Sequence, residues 1–437
     1  ETRRDYLVFR HTLRFGPDNR SLWETDARFQ DERGDLARDS LDIKSRLRLQ
    51  HTDSFATEYK IQYLKDALDQ LESRTWRGEA GFTHQLGEAL TTTVQLYGLQ
   101  QDADENSDLS EWGTLANASF QQPNEWGRLS ANLSYNHVNI DTQNGSQTGV
   151  VLSESVTFRD PLPSYLAHTD VDKPSIIVTD ATRTRTYLVG RDYYIINAGR
   201  YVALMRNPTG NISDRETVLV SYTYRAFSNY DTRRDRVDFR VQQDFDNGWS
   251  PYYAASIQNE DINDARFLTY RARNINRHRF GATYRQRRWS AGLEYEYNDD
   301  AIDPYQAVHL NGDIVLWQHA RNQLDGQGTF SRYWFDGAEQ LDARNTNLLD
   351  LGLSYRHYLA RYLELSATTR YRYEDDSLYG ITHGVDISTG LEWRIGYFTM
   401  SFEAEYDLLN LPDSRDDGFS LWLKLRRDIP VIARNDR

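Results

Sequence analysis

Apolar and polar side chains alternate one by one through most of this chain, and that alternation restricts the fold more than any other feature. Over residues 128–141, Leu129, Ala131, Leu133 and Tyr135 share one parity, and Arg128, Ser130, Asn132, Ser134 and Asn136 share the other. Side chains that swap faces at every residue belong to a β-strand with one oily and one wet face. The same split recurs near 237–245, 289–297, 363–373 and 398–407. These windows run roughly ten to fifteen residues, whereas soluble strands usually run ~5–6 and strands that cross an outer membrane ~9–11. The question is which face meets the interior: in a soluble sandwich the oily one, in a membrane barrel the wet one.

Composition favours the barrel. Hydrophobic residues make up 39% and mean hydropathy is -0.75, too little apolar matter for a thick dry core against the usual ~45–50%. Rings are nevertheless plentiful, with Tyr 29, Phe 17 and Trp 10, and several fall near strand ends, where barrels concentrate them at the interfaces. The hairpins join by tight turns on one side, as at 85–87 and 247–248. On the other side they join by longer, acidic or Asn-rich connections, as at 102–109, 142–148 and 299–304. Outer-membrane barrels show this asymmetry, with short periplasmic turns and long extracellular loops. The expected fold is all-β: a transmembrane, antiparallel, up-and-down barrel of about twenty strands, with 18–22 the tolerated range.

Residues 159–213 interrupt the meander. They hold Pro161, Pro163, Pro174 and Pro208 and short β-like runs split by turn residues such as "NPTG". The expected organisation is therefore barrel strands over 1–158, an inserted β subdomain over 159–213, and barrel strands over 214–437. Counting connections from 142–148 puts the insert on the short-turn side, as a lumen plug or as a docking module at the periplasmic mouth.

The polar parity is heavily charged. Arg46, Arg48, Arg236, Asp238 and Arg240 sit on it in the first strands, with Glu294, Glu296, Glu364, Arg370 and Arg372 further on. Glu392, Arg394, Glu403 and Glu405 complete it near the end. Arginine at the lipid midplane costs ~2–4 kcal/mol, so these groups are expected to line the lumen, either as rows that steer anionic cargo or as a mutually neutralised, hydrated wall. All but five of the 51 basic residues are arginine, the side chain suited to rigid bidentate pairing.

No catalytic constellation stands out. The ten histidines are scattered, and neither a nucleophile elbow nor a phosphate loop occurs, so no enzyme is expected. Asp299, Asp300 and Asp303 in "NDDAIDP", and Asp102, Asp104, Glu105 and Asp108 in "DADENSD", are candidates for a divalent cation at an acidic loop. No cofactor of the chain's own is expected. Cysteine is absent, so any haem would belong to a partner. A formal net charge of -14 disfavours nucleic acid.

The alternation over nearly the whole chain outside 159–213 resembles the outer-membrane β-barrel superfamily of Gram-negative bacteria. Within it, general porins, polysaccharide-export barrels and porin–cytochrome conduits share features with this sequence. The resemblance implies a bacterial outer-membrane location, contact with lipid and lipopolysaccharide, and a polar conduit or sheath for a polymer, a solute or an electron-carrying partner protein. Such a partner would dock from the periplasm or thread the lumen. A soluble or surface-attached all-β glycan-binding protein is the competing reading, and an outer-membrane hydrolase a third.

Overall fold

In the computed structural model, the residues described are 3–33, 37–68, 71–103, 107–144, 148–183, 185–198, 200–207, 210–225, 230–263, 272–301, 303–337, 342–396, 398–410 and 415–427. Nearly all of them are strand. Eight long strands come first: β1 (Arg3–Phe15), β2 (Ser21–Arg33), β3 (Arg38–Gln50), β4 (Phe55–Leu68), β5 (Leu71–Leu86), β6 (Leu90–Ala103), β7 (Ser107–Asn124) and β8 (Gly127–Asn144). Seven short strands follow: β9 (Thr148–Thr157), β10 (Ser164–Thr169), β11 (Ile177–Asp180), β12 (Thr186–Tyr187), β13 (Tyr193–Ala198), β14 (Tyr201–Arg206) and β15 (Thr217–Arg225). Eleven long strands close the series: β16 (Tyr230–Phe245), β17 (Trp249–Asn263), β18 (Ile275–Arg285), β19 (Trp289–Asp300), β20 (Tyr305–His319), β21 (Asn322–Phe335), β22 (Arg344–Ala360), β23 (Leu363–Asp376), β24 (Gly380–Ile395), β25 (Phe398–Asn410) and β26 (Arg415–Arg427).

The long strands form one 19-stranded antiparallel sheet in which each pairs with its neighbour in sequence, except that β8 passes over the short strands to pair with β16. Among the described residues β1 pairs with β2 alone and β26 with β25 alone. The wall is built inside out relative to a soluble protein. Leu293 is 54% exposed, Phe402 46% and Val237 37%, whereas Glu296 is 0% exposed. Trp126, Trp249, Trp289 and Trp317 stand exposed near the tight-turn ends, and Trp76 and Trp112 towards the other, as interfacial girdles do.

The short strands are a separate body. β12, β11, β15 and β9 form a four-stranded sheet, and β10, β14 and β13 a three-stranded one. Between them lies a dry core that includes Phe158, Val178, Leu204, Ile212, Val218, Val220 and Tyr222. Its density predicts that Ile212→Val will cost about 1 kcal/mol, read as faster amide exchange in β14 and β15 with the wall unchanged.

This body corrects the expected boundaries. The ends of the two expected wall parts, up to 158 and from 214, instead hold β9 and β15, which pair with each other from Thr157↔Thr217 to Thr148↔Arg225 and with no wall strand. Val218, Val220, Tyr222 and Tyr224 alternate along β15 as wall residues do, but they face a packed core. Parity alone cannot separate the two settings. The insert thus runs from β9 through β15, 148–225 instead of 159–213. Removing β9 from the wall also moves the insert to the other end. It leaves from β8 at the end that carries the connections 264–274, 301–304 and 336–343, not at the tight-turn end.

Candidate functional site

Along each wall strand the charged parity lies opposite the exposed apolar parity, and the sequence-derived charges meet there mostly as pairs. Arg46 contacts Glu58 at 2.6 Å and Glu24 at 3.6 Å. Arg236 holds Asp238 at 2.8 Å, Arg356 holds Glu364 at 3.1 Å, and Arg394 holds Glu392 at 2.6 Å. Arg370 binds Asp350, Arg372 binds Asp386 at 2.7 Å, and Lys424 binds Glu403 at 2.6 Å. Arg240 lies over the Tyr252 ring, 3.9 Å from its centroid. Glu405 lines a recess with Glu364, Glu392 and Glu403, and Arg48 lines another near Arg14 and Asp53. Exposed pairs of this kind are worth little each, ~0–1 kcal/mol. They hydrate the face without leaving unopposed rows of one sign.

The insert packs against this face at one end of the wall, through two buried ion networks. In the first, Asp66 of β4 accepts from Arg38 Nη2 at 2.9 Å and from Ser153 Oγ of the insert at 3.0 Å, and Arg183 Nε of the insert lies 3.4 Å away. Gln30 Nε2 adds a hydrogen bond to the Arg183 carbonyl at 3.2 Å. In the second, Glu296 of β19 accepts from Arg159 Nη2 of the insert at 2.8 Å and from the Tyr305 hydroxyl at 2.8 Å. Next to it, Leu162 of the insert packs on Tyr305, Tyr333 and Phe335. Buried carboxylates persist in such places because each has several donors.

Below the insert is a cavity of about 780 Å³. Arg159 and Asp160 of the insert line it together with Arg240 of β16, Glu294 of β19, His309 of β20, Asp350 of β22 and Arg370 of β23. Strands from β16 to β23 face one space, so the sheet curls around it.

The acidic-loop metal candidate at 299–303 does not assemble, and Asp104 and Glu105 of the other acidic loop lie outside the described residues. Asp299 and Asp300 are successive residues of β19 and point to opposite faces. Asp300 is taken by Arg273 at 2.8 Å. Asp303 is buried, which pushes its carboxyl up to about 6. Glu294, Glu296 and His309 do converge, with one donor atom of each within 4.8 Å of the others. The sequence reading placed both glutamates on the lumen face but left His309 among the scattered histidines. The signal that finds it is hairpin register, which sets His309 directly opposite Glu294.

No family model and no curated protein matches the chain. Its fold matches solved structures of outer-membrane proteins over nearly its whole length. The ferric citrate transporter FecA in its unliganded form aligns with 98% of this chain and 69% of its own, at 9% identity and a TM-score of 0.59. The siderophore receptor PiuA from Acinetobacter baumannii aligns with 97% and 73%, at 8% identity and a TM-score of 0.57. The alcaligin outer-membrane receptor FauA from Bordetella pertussis aligns with 95% and 68%, at 10% identity and a TM-score of 0.55. The chain shares the β-barrel fold of these proteins. In barrels that sit in an outer membrane, an apolar belt with aromatic girdles meets lipid and the polar parity faces the interior. A soluble glycan-binding sheet would need its apolar face inside, where this barrel keeps its ion pairs.

Proposed function

We propose that the barrel forms a gated polar passage across the outer membrane and that residues 148–225 are its gate. One observation carries this reading: the insert is tied at once to β4 and to β19, strands eight places apart in a wall of nineteen. A body anchored on both sides of a bore crosses it. Long connections on outer-membrane barrels face outward, so the gate folds in from the outside, and periplasmic docking through it loses its support. The paired charges suit a small polar solute. A polymer or a threaded electron carrier would need the insert to leave the bore altogether.

The topology supplies a clean test. β8 and β16 already pair as far as Thr142↔Tyr230, so residues 143–229 can be replaced by a two-residue turn that closes an ordinary hairpin. In planar bilayers the parent barrel should stay closed and the truncated one should conduct steadily and admit small solutes to liposomes. A truncated barrel that keeps heat-modifiable gel migration yet stays as closed as the parent overturns the proposal.

A further inference from the structure

Glu294 and Glu296 stand two residues apart on β19, so both carboxylates face the bore, and His309 opposes Glu294 on β20. Each of the three is held from behind by a different side chain. The Tyr252 hydroxyl donates to Glu294, the Tyr305 hydroxyl donates to Glu296 at 2.8 Å, and Ser331 Oγ lies 2.9 Å from His309 Nδ1. That leaves His309 Nε2 buried, without a hydrogen bond, and 3.4 Å from a Glu296 oxygen. An imidazole fixed through one nitrogen, with the other turned towards two carboxylates, is the arrangement found around bound metal ions, where outer partners orient each ligand. The cavity borders Glu294 and His309 and leaves room there for further ligands, while Glu296 is fully buried beside them. Cations oppose an ion here: Arg159, on Glu296 at 2.8 Å, Arg277, 3.9 Å from the same carboxylate, and Arg279 of the wall, opposite Glu296 in register and bordering the cavity. Arg277 belongs to the wall, but Arg159 rides on the insert.

We propose that Glu294, Glu296 and His309 bind a divalent transition-metal ion of the zinc class, and that Arg159 of the insert competes with that ion for Glu296. Two carboxylates and one imidazole are borderline donors that suit Zn²⁺, Co²⁺ or Mn²⁺ better than the all-oxygen sets of Ca²⁺ and Mg²⁺. An ion there and the docked arginine draw on one carboxylate, so each weakens the other by the same factor.

The test is a titration of the full chain in detergent, stripped with chelator, with Co²⁺, whose visible absorption reports nitrogen and oxygen ligation. Wild type should take up a single Co²⁺ that Zn²⁺ displaces. His309→Gln and Glu294→Gln should each weaken binding by more than about tenfold, and Tyr252→Phe by roughly tenfold, the usual effect of losing an outer partner. Arg159→Ala should bind more tightly than wild type, a gain that a purely structural cluster would not give. Heat-modifiable migration verifies that each variant is folded. The proposal falls if neither wild type nor Arg159→Ala takes up Co²⁺, or if folded His309→Gln binds as well as wild type. It falls equally if Arg159→Ala binds no better. The readout is metal uptake and not conductance, so this site and the gated passage stand or fall separately.

Discussion

Replacing Asp66 with alanine should release the insert from the wall. The Asp66 side chain is 3% exposed and, among the described residues, pairs with both Arg38, 6% exposed, and Arg183, 13% exposed. Without it two guanidiniums remain buried and unopposed, and breaking a buried pair in this way costs roughly 3–5 kcal/mol. The wall strands keep their ladders from Arg38↔Leu68 to Gln50↔Ala56, so the barrel has little reason to unfold. Both arginines regain water most cheaply if the insert withdraws, because Ser153 and Arg183 leave with it. The variant should show open-channel current and faster protease cleavage within 148–225. Arg183→Met leaves Asp66 its bond to Arg38 and should have a much smaller effect, about 1 kcal/mol. Equal protection of the insert in Asp66→Ala and wild type would show that this network does not hold it.

The second large effect concerns pH. Inside the insert the Tyr222 hydroxyl donates to Glu154 of β9 and lies 3.0 Å from His168 Nδ1 of β10, so the three join its two sheets. Burial pushes the Glu154 carboxyl up to about 7 and His168 down to about 4. Against ordinary values near ~4.3 and ~6.5, the signs oppose. The raised carboxyl stabilises the insert fully below pH ~4.3, and that contribution is lost as pH rises to about 7. The depressed imidazole stabilises it above ~6.5, and that contribution is lost as pH falls to about 4. Each is worth about 3 kcal/mol, and between pH ~4.5 and ~6.5 they nearly cancel. Wild-type insert stability should therefore be almost flat across that window. Glu154→Gln should unmask a loss on acidification, and His168→Phe a loss on alkalinisation. Amide exchange in β15 at the two ends of the window measures both. If Glu154→Gln stays as flat as wild type, the buried pair does not set the pH response.

Much of the wall is legible in the sequence, because a strand with an apolar face and a polar face must alternate at every step. The window near 237–245 lies in β16, Tyr230–Phe245, and that near 398–407 in β25, Phe398–Asn410. The insert's edges were not legible. A small packed sheet also buries one parity, so β9 and β15 carry the signature of wall strands while facing Phe158 and Leu204. Single-strand periodicity says which residues share a face and nothing about which strand lies alongside. The site shows the same limit. Asp299 and Asp300 are neighbours in sequence and diverge in space, whereas Glu294 and His309 meet only because the 301–304 connection sets the hairpin register.

Because β8 and β16 are direct neighbours in the wall, the chain pauses between them to build a complete globule before eleven further strands exist. If biogenesis runs from the N-terminus, the second part of the cylinder must be laid down around a body already in place. β19, β20 and β21 are then shaped against Arg159 and Leu162 as a garment is fitted on a form. Truncating the globule would remove that template, so a slower or more error-prone assembly of the empty cylinder is a cost separate from anything its bore transports.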